Sequence, residues 1–166
     1  MTQTSESMRA AQLPLRLFLD AGVLIDGYFN RWGSCKAVLI MATLRARFRA
    51  VIAEPIRAEV DRNVVRKTNE LSAEERRIVD DGIEGWFRIA RPERLPWPSE
   101  AEMLAHRNVL AAVRHRNDMP GVIAAVLARP DWVLSTNTEH WNQALAARTG
   151  LQIATPTAFL ASLQPT

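Results

Sequence analysis

The stretch LRLFLDAGVLIDG, Leu15–Gly27, decides the fold of this chain. It opens with a short apolar run, Leu15–Leu19, which is interrupted only by Arg16 and has the length of a buried strand. The run stops at Asp20, and the apolar residues that follow are typical of the start of a helix. An aspartate at such a junction either caps the helix or lies at the carboxyl edge of a parallel sheet, where open α/β folds bind their ligands. Both interpretations are open at this point.

Length and composition indicate one domain with its own core. A chain of 166 residues is long enough to bury a core without disulfides or structural metals. We expect residues 1–12, which are polar and small, to be disordered, and residues 13–166 to form the domain. Cys35 is the single cysteine, which excludes an internal disulfide and fits a reducing compartment. No apolar run reaches the roughly 20 residues of a membrane span, and the N-terminus lacks a signal-peptide pattern, so we expect a cytoplasmic protein with no membrane partner.

The charge of the chain is compatible with a nucleic-acid partner. The formal net charge is +3, and Lys36 and Lys67 are the only lysines, so the basic residues are nearly all arginine. Arginine binds phosphate through a bidentate fork, which is compatible with a nucleic-acid partner. A genome rich in G and C would favour arginine codons in the same way, and composition does not separate the two explanations.

Short apolar strands alternate with helices along the chain. After the first strand, we predict strands at Ala50–Ala53, Val133–Ser135 and Leu151–Ala154. Two of the predicted helices, Ser72–Phe87 and Ala101–His115, follow capping-box sequences. The proline-rich stretch Arg91–Pro98 between them is predicted to be an extended connection. This alternation favours an α/β fold with a parallel sheet and helices on its faces.

Three acidic residues can meet at one edge of such a sheet. Asp20 ends the first strand, Glu59 lies in the helix after the second, and Asp118 heads the short helix before the third. Carboxylates gathered there repel one another unless a divalent cation neutralises them, and oxygen ligands suit Mg²⁺ or Mn²⁺ better than zinc. Simpler interpretations are a solvated helix residue for Glu59 and helix caps for the two aspartates. Other acidic residues compete, and spacing alone does not select among them.

Four stretches resemble PIN-domain ribonucleases in their order and spacing. They are LRLFLDAGVLIDG (Leu15–Gly27), RAVIAEPIRAEV (Arg49–Val60), NDMPGVIAAVLARPDWVLSTNTEHW (Asn117–Trp141) and TPTAFLASL (Thr155–Leu163). The resemblance covers most of the chain and implies a three-layer α/β/α sandwich with a central, mainly parallel sheet. It also implies a Mg²⁺ or Mn²⁺ site and cleavage of single-stranded RNA. Many bacterial members are toxins of toxin–antitoxin pairs, so an antitoxin protein and a homodimer are the partners it suggests.

The resemblance also assigns the site residue by residue. The metal ligands and catalytic residues that it implies are Asp20, Glu59, Asp118 and Asn137. Ser135 takes the position of the family's hydroxyl residue. The sequence departs from the family pattern twice: Asn137 stands where the fourth ligand is usually Asp, and Gly22 stands where the family often has Asn. An amide keeps an oxygen ligand but loses its charge.

Other polar residues have both a functional and a structural interpretation. Arg114, His115 and Arg116 precede Asp118 and could bind RNA phosphate, but they could equally form an exposed helix end. His140 lies in the predicted helix Glu139–Arg148, where packing is the simpler interpretation.

Two other functions compete with a nuclease. A non-catalytic PIN-like module that binds RNA or a partner protein is favoured by Asn137, because that residue removes one charge from the ligand set. A phosphohydrolase with Asp20 as its nucleophile is disfavoured by Gly22, because such enzymes usually carry a second Asp at that position.

Overall fold

A five-stranded sheet forms the centre of the protein. The structure is a computed structural model and describes residues 13–164, so the predicted disordered segment 1–12 lies outside the described residues. Within them the strands are β1 (Leu15–Leu19), β2 (Phe48–Ala53), β3 (Glu93–Leu95), β4 (Trp132–Leu134) and β5 (Ile153–Ala154). All pair in parallel, in the order β3-β2-β1-β4-β5. The prediction of an α/β fold with a parallel sheet is confirmed.

Helices connect the strands and cover the sheet as the two outer layers of an α/β/α sandwich. They are α1 (Ala21–Phe29), α2 (Ser34–Ala42), α3 (Glu54–Thr68), α4 (Ala73–Ala90), α5 (Glu100–Ala105), α6 (Arg107–Leu110), α7 (Met119–Ala128), α8 (Gln143–Thr149) and α9 (Pro156–Ser162). Capping boxes start α4 at Ser72 and α5 at Ser99, as their sequences predict. No helix in the described part of the chain is long and apolar enough to cross a membrane.

The central strand β1 is buried on both faces. Leu17, Phe18 and Leu19 are fully buried, and Phe18 is paired with Val51 of β2 and Val133 of β4. A parallel strand covered on both faces reads as a continuous apolar run, which is what Leu15–Leu19 does apart from Arg16. Burial of a side chain such as that of Phe18 contributes roughly 1.5–3 kcal/mol.

Arg16 interrupts the apolar run because it ties three segments together. Its guanidinium binds the Glu93 carboxylate of β3 through two nitrogens, at 2.6 and 3.0 Å. It also donates a hydrogen bond of 2.7 Å to the carbonyl of Ala128 at the end of α7. The predicted connection Arg91–Pro98 therefore contains a strand, β3, whose carboxylate reaches across β2 to a cation on β1.

Two predicted helices are wrong in their limits near the site. The predicted helix Ala101–His115 is interrupted at His106 and ends with α6 at Leu110, so the residues before Asp118 form turns instead. The predicted helix Glu139–Arg148 starts only at α8, because the Asn142 side chain caps it by accepting a hydrogen bond of 3.0 Å from the Leu145 amide. Residues 135–142 are thereby left as a loop at the end of β4.

Candidate functional site

Asp20 lies at the carboxyl end of the central strand and does not cap the helix that follows. Its backbone occupies the N-cap position of α1, but its side chain makes no capping hydrogen bond. Instead, its carboxylate Oδ2 accepts a hydrogen bond of 2.6 Å from Ser135 Oγ, across the β1–β4 boundary. Burial raises the pKa of the Asp20 carboxyl, and the Ser135 hydrogen bond opposes that rise. The open question from the sequence is thus resolved in favour of the sheet edge.

Glu59 projects from α3 towards the same place. Its side chain is partly buried, and it lines a cleft together with Asp20 and Asp118. Burial raises the pKa of Glu59, and the negative charges of Asp20 and Asp118 raise it further. The simple interpretation of Glu59 as a solvated helix residue is therefore wrong.

Asp118 enters the cleft from a short 3-10 turn, Arg116–Asp118, that leads directly into α7. Its side chain does not cap α7, although its position in the sequence suggests a cap. Oδ2 of Asp118 lies 3.5 Å from Nδ1 of His140, a side chain that is only 7% exposed. The carboxylate thus faces the cleft and a buried imidazole.

Hydrogen bonds fix the loop after β4 at the mouth of the cleft. Ser135 is buried, and its Oγ accepts a hydrogen bond of 3.0 Å from the backbone amide of Asn137 while it donates to Asp20. Asn137 Oδ1 in turn accepts a hydrogen bond of 3.1 Å from the amide of His140. The predicted fourth ligand and the predicted hydroxyl residue therefore lie beside the three carboxylates.

The cleft has room for an ion with its water. Its volume is about 40 Å³, and Asp20, Glu59, Asp118 and Asn137 all line it. A water molecule requires roughly 10–15 Å³ in this measure, so the cleft has room for an ion and a few waters but is too small for a nucleotide. Among residues 13–164, however, no group of three or more His, Cys, Asp or Glu side chains stands close enough together to hold a metal ion by itself. The structure brings the predicted ligands to one cleft without closing them into a coordination shell.

Six of the residues that line the cleft were not predicted as site residues, and two of them, His140 and Asn117, bring polar side chains next to Asp118. His140, interpreted above as packing, lines the cleft, and its Nε2 is buried without a hydrogen-bond partner. Asn117 lines it next to Asp118. His140 follows the third predicted strand, Val133–Ser135, at the edge of the sheet where the site was expected. This position could have identified it, but the sequence analysis assigned His140 to the helix Glu139–Arg148 instead.

The basic residues predicted to bind phosphate do not line the cleft. Arg114, His115 and Arg116 are exposed in the turns that precede Asp118, outside a helix. Their neighbour Asn117 is the one that reaches the cleft. A role in RNA binding for the three basic residues stays a prediction.

Gly22 and Thr136 are complementary. A Cβ atom built on Gly22 would lie 2.4 Å from Oγ1 of Thr136, far inside any normal contact. The hydroxyl of Thr136 therefore occupies the space that a side chain at position 22 would need. This gives a steric reason for the glycine at position 22, one of the two positions where the sequence departs from the PIN pattern.

Comparisons with known proteins identify the fold through structure and not through sequence. No family model matches the chain, and no curated protein matches it significantly. One match is the structure of VapBC2 from Rickettsia felis bound to a DNA fragment from the VapBC2 promoter. Its TM-score is 0.58 and its sequence identity is 10%, over 85% of this chain and 98% of that one. PAE2754 from Pyrobaculum aerophilum matches with a TM-score of 0.58 and 13% identity over 98% of this chain and 100% of that one.

FitAcB from Neisseria gonorrhoeae gives a similar result, with a TM-score of 0.60 and 14% identity over 85% of this chain and 98% of that one. These matches extend over nearly the whole of each neighbour, so they compare complete folds. They agree with the all-parallel sheet and its helical layers. The predicted resemblance is therefore confirmed at the level of the fold: this chain has the PIN-like α/β/α fold.

Proposed function

We propose that the protein is a metal-dependent endoribonuclease that cleaves single-stranded RNA. The observation that carries the proposal is the cleft at the ends of β1 and β4, where Asp20, Glu59 and Asp118 arrive from three distant segments. Burial and the charges of Asp20 and Asp118 raise the pKa of Glu59, so its ionised form costs the fold stability, and such groups are typical of functional sites. A bound cation would remove that cost.

The donor set in the cleft fits a hard divalent cation. Asp20, Glu59 and Asp118 offer carboxylate oxygens, and Asn137 offers an amide oxygen. Residues 13–164 contain no group of three or more His, Cys, Asp or Glu side chains close enough to hold a metal ion. Mg²⁺ commonly keeps several waters and is held by one or two carboxylates, so it does not need such a group. Mg²⁺ or Mn²⁺ held there would activate a water and offset the negative charge of the phosphodiester.

The side chains around the carboxylates would keep them in place. Ser135 restrains Asp20 through its 2.6 Å hydrogen bond and is itself fixed by the Asn137 amide. His140 lies beside Asp118 and is held by the bond from its own amide to Asn137. Preorganised ligands of this kind lower the cost of placing a water and a phosphate in reacting geometry.

The proposal includes a toxin–antitoxin setting. The PIN-like fold is shared with VapBC2 and FitAcB, which supports the inference that this chain is the nuclease of such a pair and that an antitoxin protein holds it inactive. RNA as the substrate is consistent with a cytoplasmic protein. A homodimer is part of the same proposal, since it is common in the family that the sequence resembles.

A non-catalytic RNA-binding module is the second candidate function. It is favoured by Asn137, which removes one negative charge from the expected ligand set, and by the lack of a closed metal-binding group in the described residues. The two functions differ in a single measurable property, which is cleavage of RNA.

The deciding experiment measures cleavage of a labelled single-stranded RNA in the presence of Mg²⁺ or Mn²⁺. We expect cleavage that EDTA abolishes and that Asp20→Asn removes without unfolding the protein. Asp80→Asn is the matched control, because Asp80 is exposed on α4 and does not line the cleft, and it should leave the rate unchanged. RNA that binds wild type but stays intact with either metal would favour the non-catalytic module.

A further inference from the structure

A second cavity adjoins the cleft and is unused by the proposed chemistry. It has a volume of about 520 Å³ and lies at the carboxyl ends of β4 and β5. One wall comes from the loop and helix start that carry Thr138 and Gln143, and the other comes from Ile153, Thr155 and Ala158. Cavities of this size hold small organic molecules, whereas the cleft of about 40 Å³ does not.

The cavity and the cleft share a wall. The buried indole of Trp141 lines both, and Ser135, whose hydroxyl binds Asp20, lines the cavity as well. The cavity therefore lies beside the position that a phosphate held at the carboxylates would take, close to the next chemical group of the same chain. In a nucleic acid, that group is a sugar and a base.

The lining of the cavity favours an uncharged occupant. None of the residues that line the cavity in the described part of the chain is Asp, Glu, Lys, Arg or His. A phosphate there would find no side chain of opposite charge. An uncharged molecule with flat apolar faces and polar edges suits this lining, and nucleobases have both.

Hydrogen-bonding groups for the edge of a base come from particular side chains. The Gln143 amide is exposed and can both donate and accept, and the Thr138 hydroxyl can do the same. Thr155 Oγ1 already accepts a hydrogen bond from the Ala158 amide, which leaves its O–H free to donate. Asn142 contributes less, because its oxygen already caps α8 and one of its two N–H groups donates to the carbonyl of Glu139.

We propose that this cavity binds the base of the nucleotide adjacent to the phosphodiester that is cleaved, and so contributes base preference. The inference rests on the proposed RNA cleavage for its role, but base binding can be measured without cleavage. Ala158 offers a direct test, since it lines the cavity from an exposed position on α9 and a larger side chain there would take up part of the space that a base needs. Ala161 is exposed on the same helix and does not line the cavity, which makes it the matched control.

The first arm of the experiment measures binding of adenosine, cytidine, guanosine and uridine by NMR chemical-shift titration, with the indole N–H of Trp141 as the reporter. Free nucleosides carry no phosphate, so binding should be nearly independent of salt. We expect at least one of them to bind wild type and Ala161→Phe equally, and to bind Ala158→Phe at least tenfold more weakly. Gln143→Ala, an exposed change that leaves the fold intact, should alter the order of preference among the four.

The second arm compares cleavage of RNA oligonucleotides that differ only in base sequence. We expect Ala158→Phe to reduce the spread of kcat/KM between the substrates, mainly through KM, and Ala161→Phe to keep the wild-type spread. A wild type that binds nucleosides in the cavity but cleaves no RNA would overturn the proposed nuclease and keep the cavity assignment. Absence of nucleoside binding, or nucleoside affinities and base preferences in Ala158→Phe that equal those of wild type, would overturn the cavity assignment alone.

Discussion

The effect of Gly22→Ala on the free energy of unfolding should depend on the residue at position 136. We expect a loss of stability with Thr136 and a gain with alanine at that position. In wild type the new Cβ would meet Thr136 Oγ1 at 2.4 Å, so either the exposed Thr136 side chain must rotate or its loop must shift. Overpacking of this kind costs about 1–3 kcal/mol. Gly22 is the second residue of α1, and alanine there returns up to about 1 kcal/mol of helix propensity. We expect Gly22→Ala to destabilise wild type by about 1 kcal/mol.

The same change should stabilise a Thr136→Ala background. That variant removes Oγ1 and keeps only a Cβ, which lies 3.7 Å from the position of the new methyl group, an ordinary contact. The helix propensity then acts alone, and Gly22→Ala should add up to about 1 kcal/mol to the free energy of unfolding. The coupling free energy between the two positions is therefore about 1–3 kcal/mol.

Urea unfolding of wild type, the two single variants and the double variant measures that coupling. Gly82→Ala on α4 is the control, because a Cβ at Gly82 meets nothing within 4 Å. It should stabilise both backgrounds to the same extent. If Gly22→Ala has the same effect with Thr and with Ala at position 136, the steric argument for the glycine is refuted.

Three further predictions address the site and the backbone. Burial and the charges of neighbouring carboxylates raise the pKa of Glu59 above its ordinary 4.5, so its ionisation lowers stability as the pH rises from that value through the folded-state pKa. In EDTA, Glu59→Gln should therefore melt at a higher temperature than wild type at about pH 7 and at the same temperature at about pH 3, and a gap that is independent of pH would contradict this. Asn137→Asp adds a charge beside the expected ion and should lower the Mg²⁺ concentration needed for cleavage and for thermal stabilisation; identical Mg²⁺ titrations of the two proteins would place Asn137 outside the ion's reach. Arg129 ends α7 with a backbone in the left-handed region, at φ of 46°. Because glycine has no Cβ to strain there, Arg129→Gly should raise the free energy of unfolding, measured in urea, by about 1 kcal/mol. Arg129→Ala keeps the Cβ and should change that free energy little.

The sequence predicted those strands and helices whose burial or capping leaves a recognisable pattern of residue types. β1 was visible because both of its faces are covered, which makes an apolar run, and α4 and α5 were visible through their capping boxes. β3 was missed because only Glu93, Arg94 and Leu95 form it, and no periodicity exists in three residues of mixed polarity. Glu93 of β3 forms an ion pair with Arg16 of β1, which is 77 residues away in the sequence. The local sequence around β3 gives no sign of such a distant pair.

The site residues were predicted mainly from the resemblance to PIN-domain ribonucleases, and less from the physical properties of the residues. Burial and charge did not select Glu59 over other acidic residues, because the selection depends on how α3 packs beside β1. His140 was missed for a related reason. The loop that carries it is fixed by the bonds of Ser135 and Asn137, and these form only once β4 has brought the loop next to Asp20.

The strand order also fixes when the site can come into existence during synthesis. β1 pairs with β2 on one side and with β4 on the other, and the second pairing joins Leu19 to Leu134. The Asp20 carboxylate and the Ser135 hydroxyl are separated by 115 residues, so this contact closes a long loop and is expected to form slowly. A growing chain can assemble β1, β2 and β3 while it still lacks the loop that completes the cleft. The newly made protein therefore has no finished site until most of its own message has been translated.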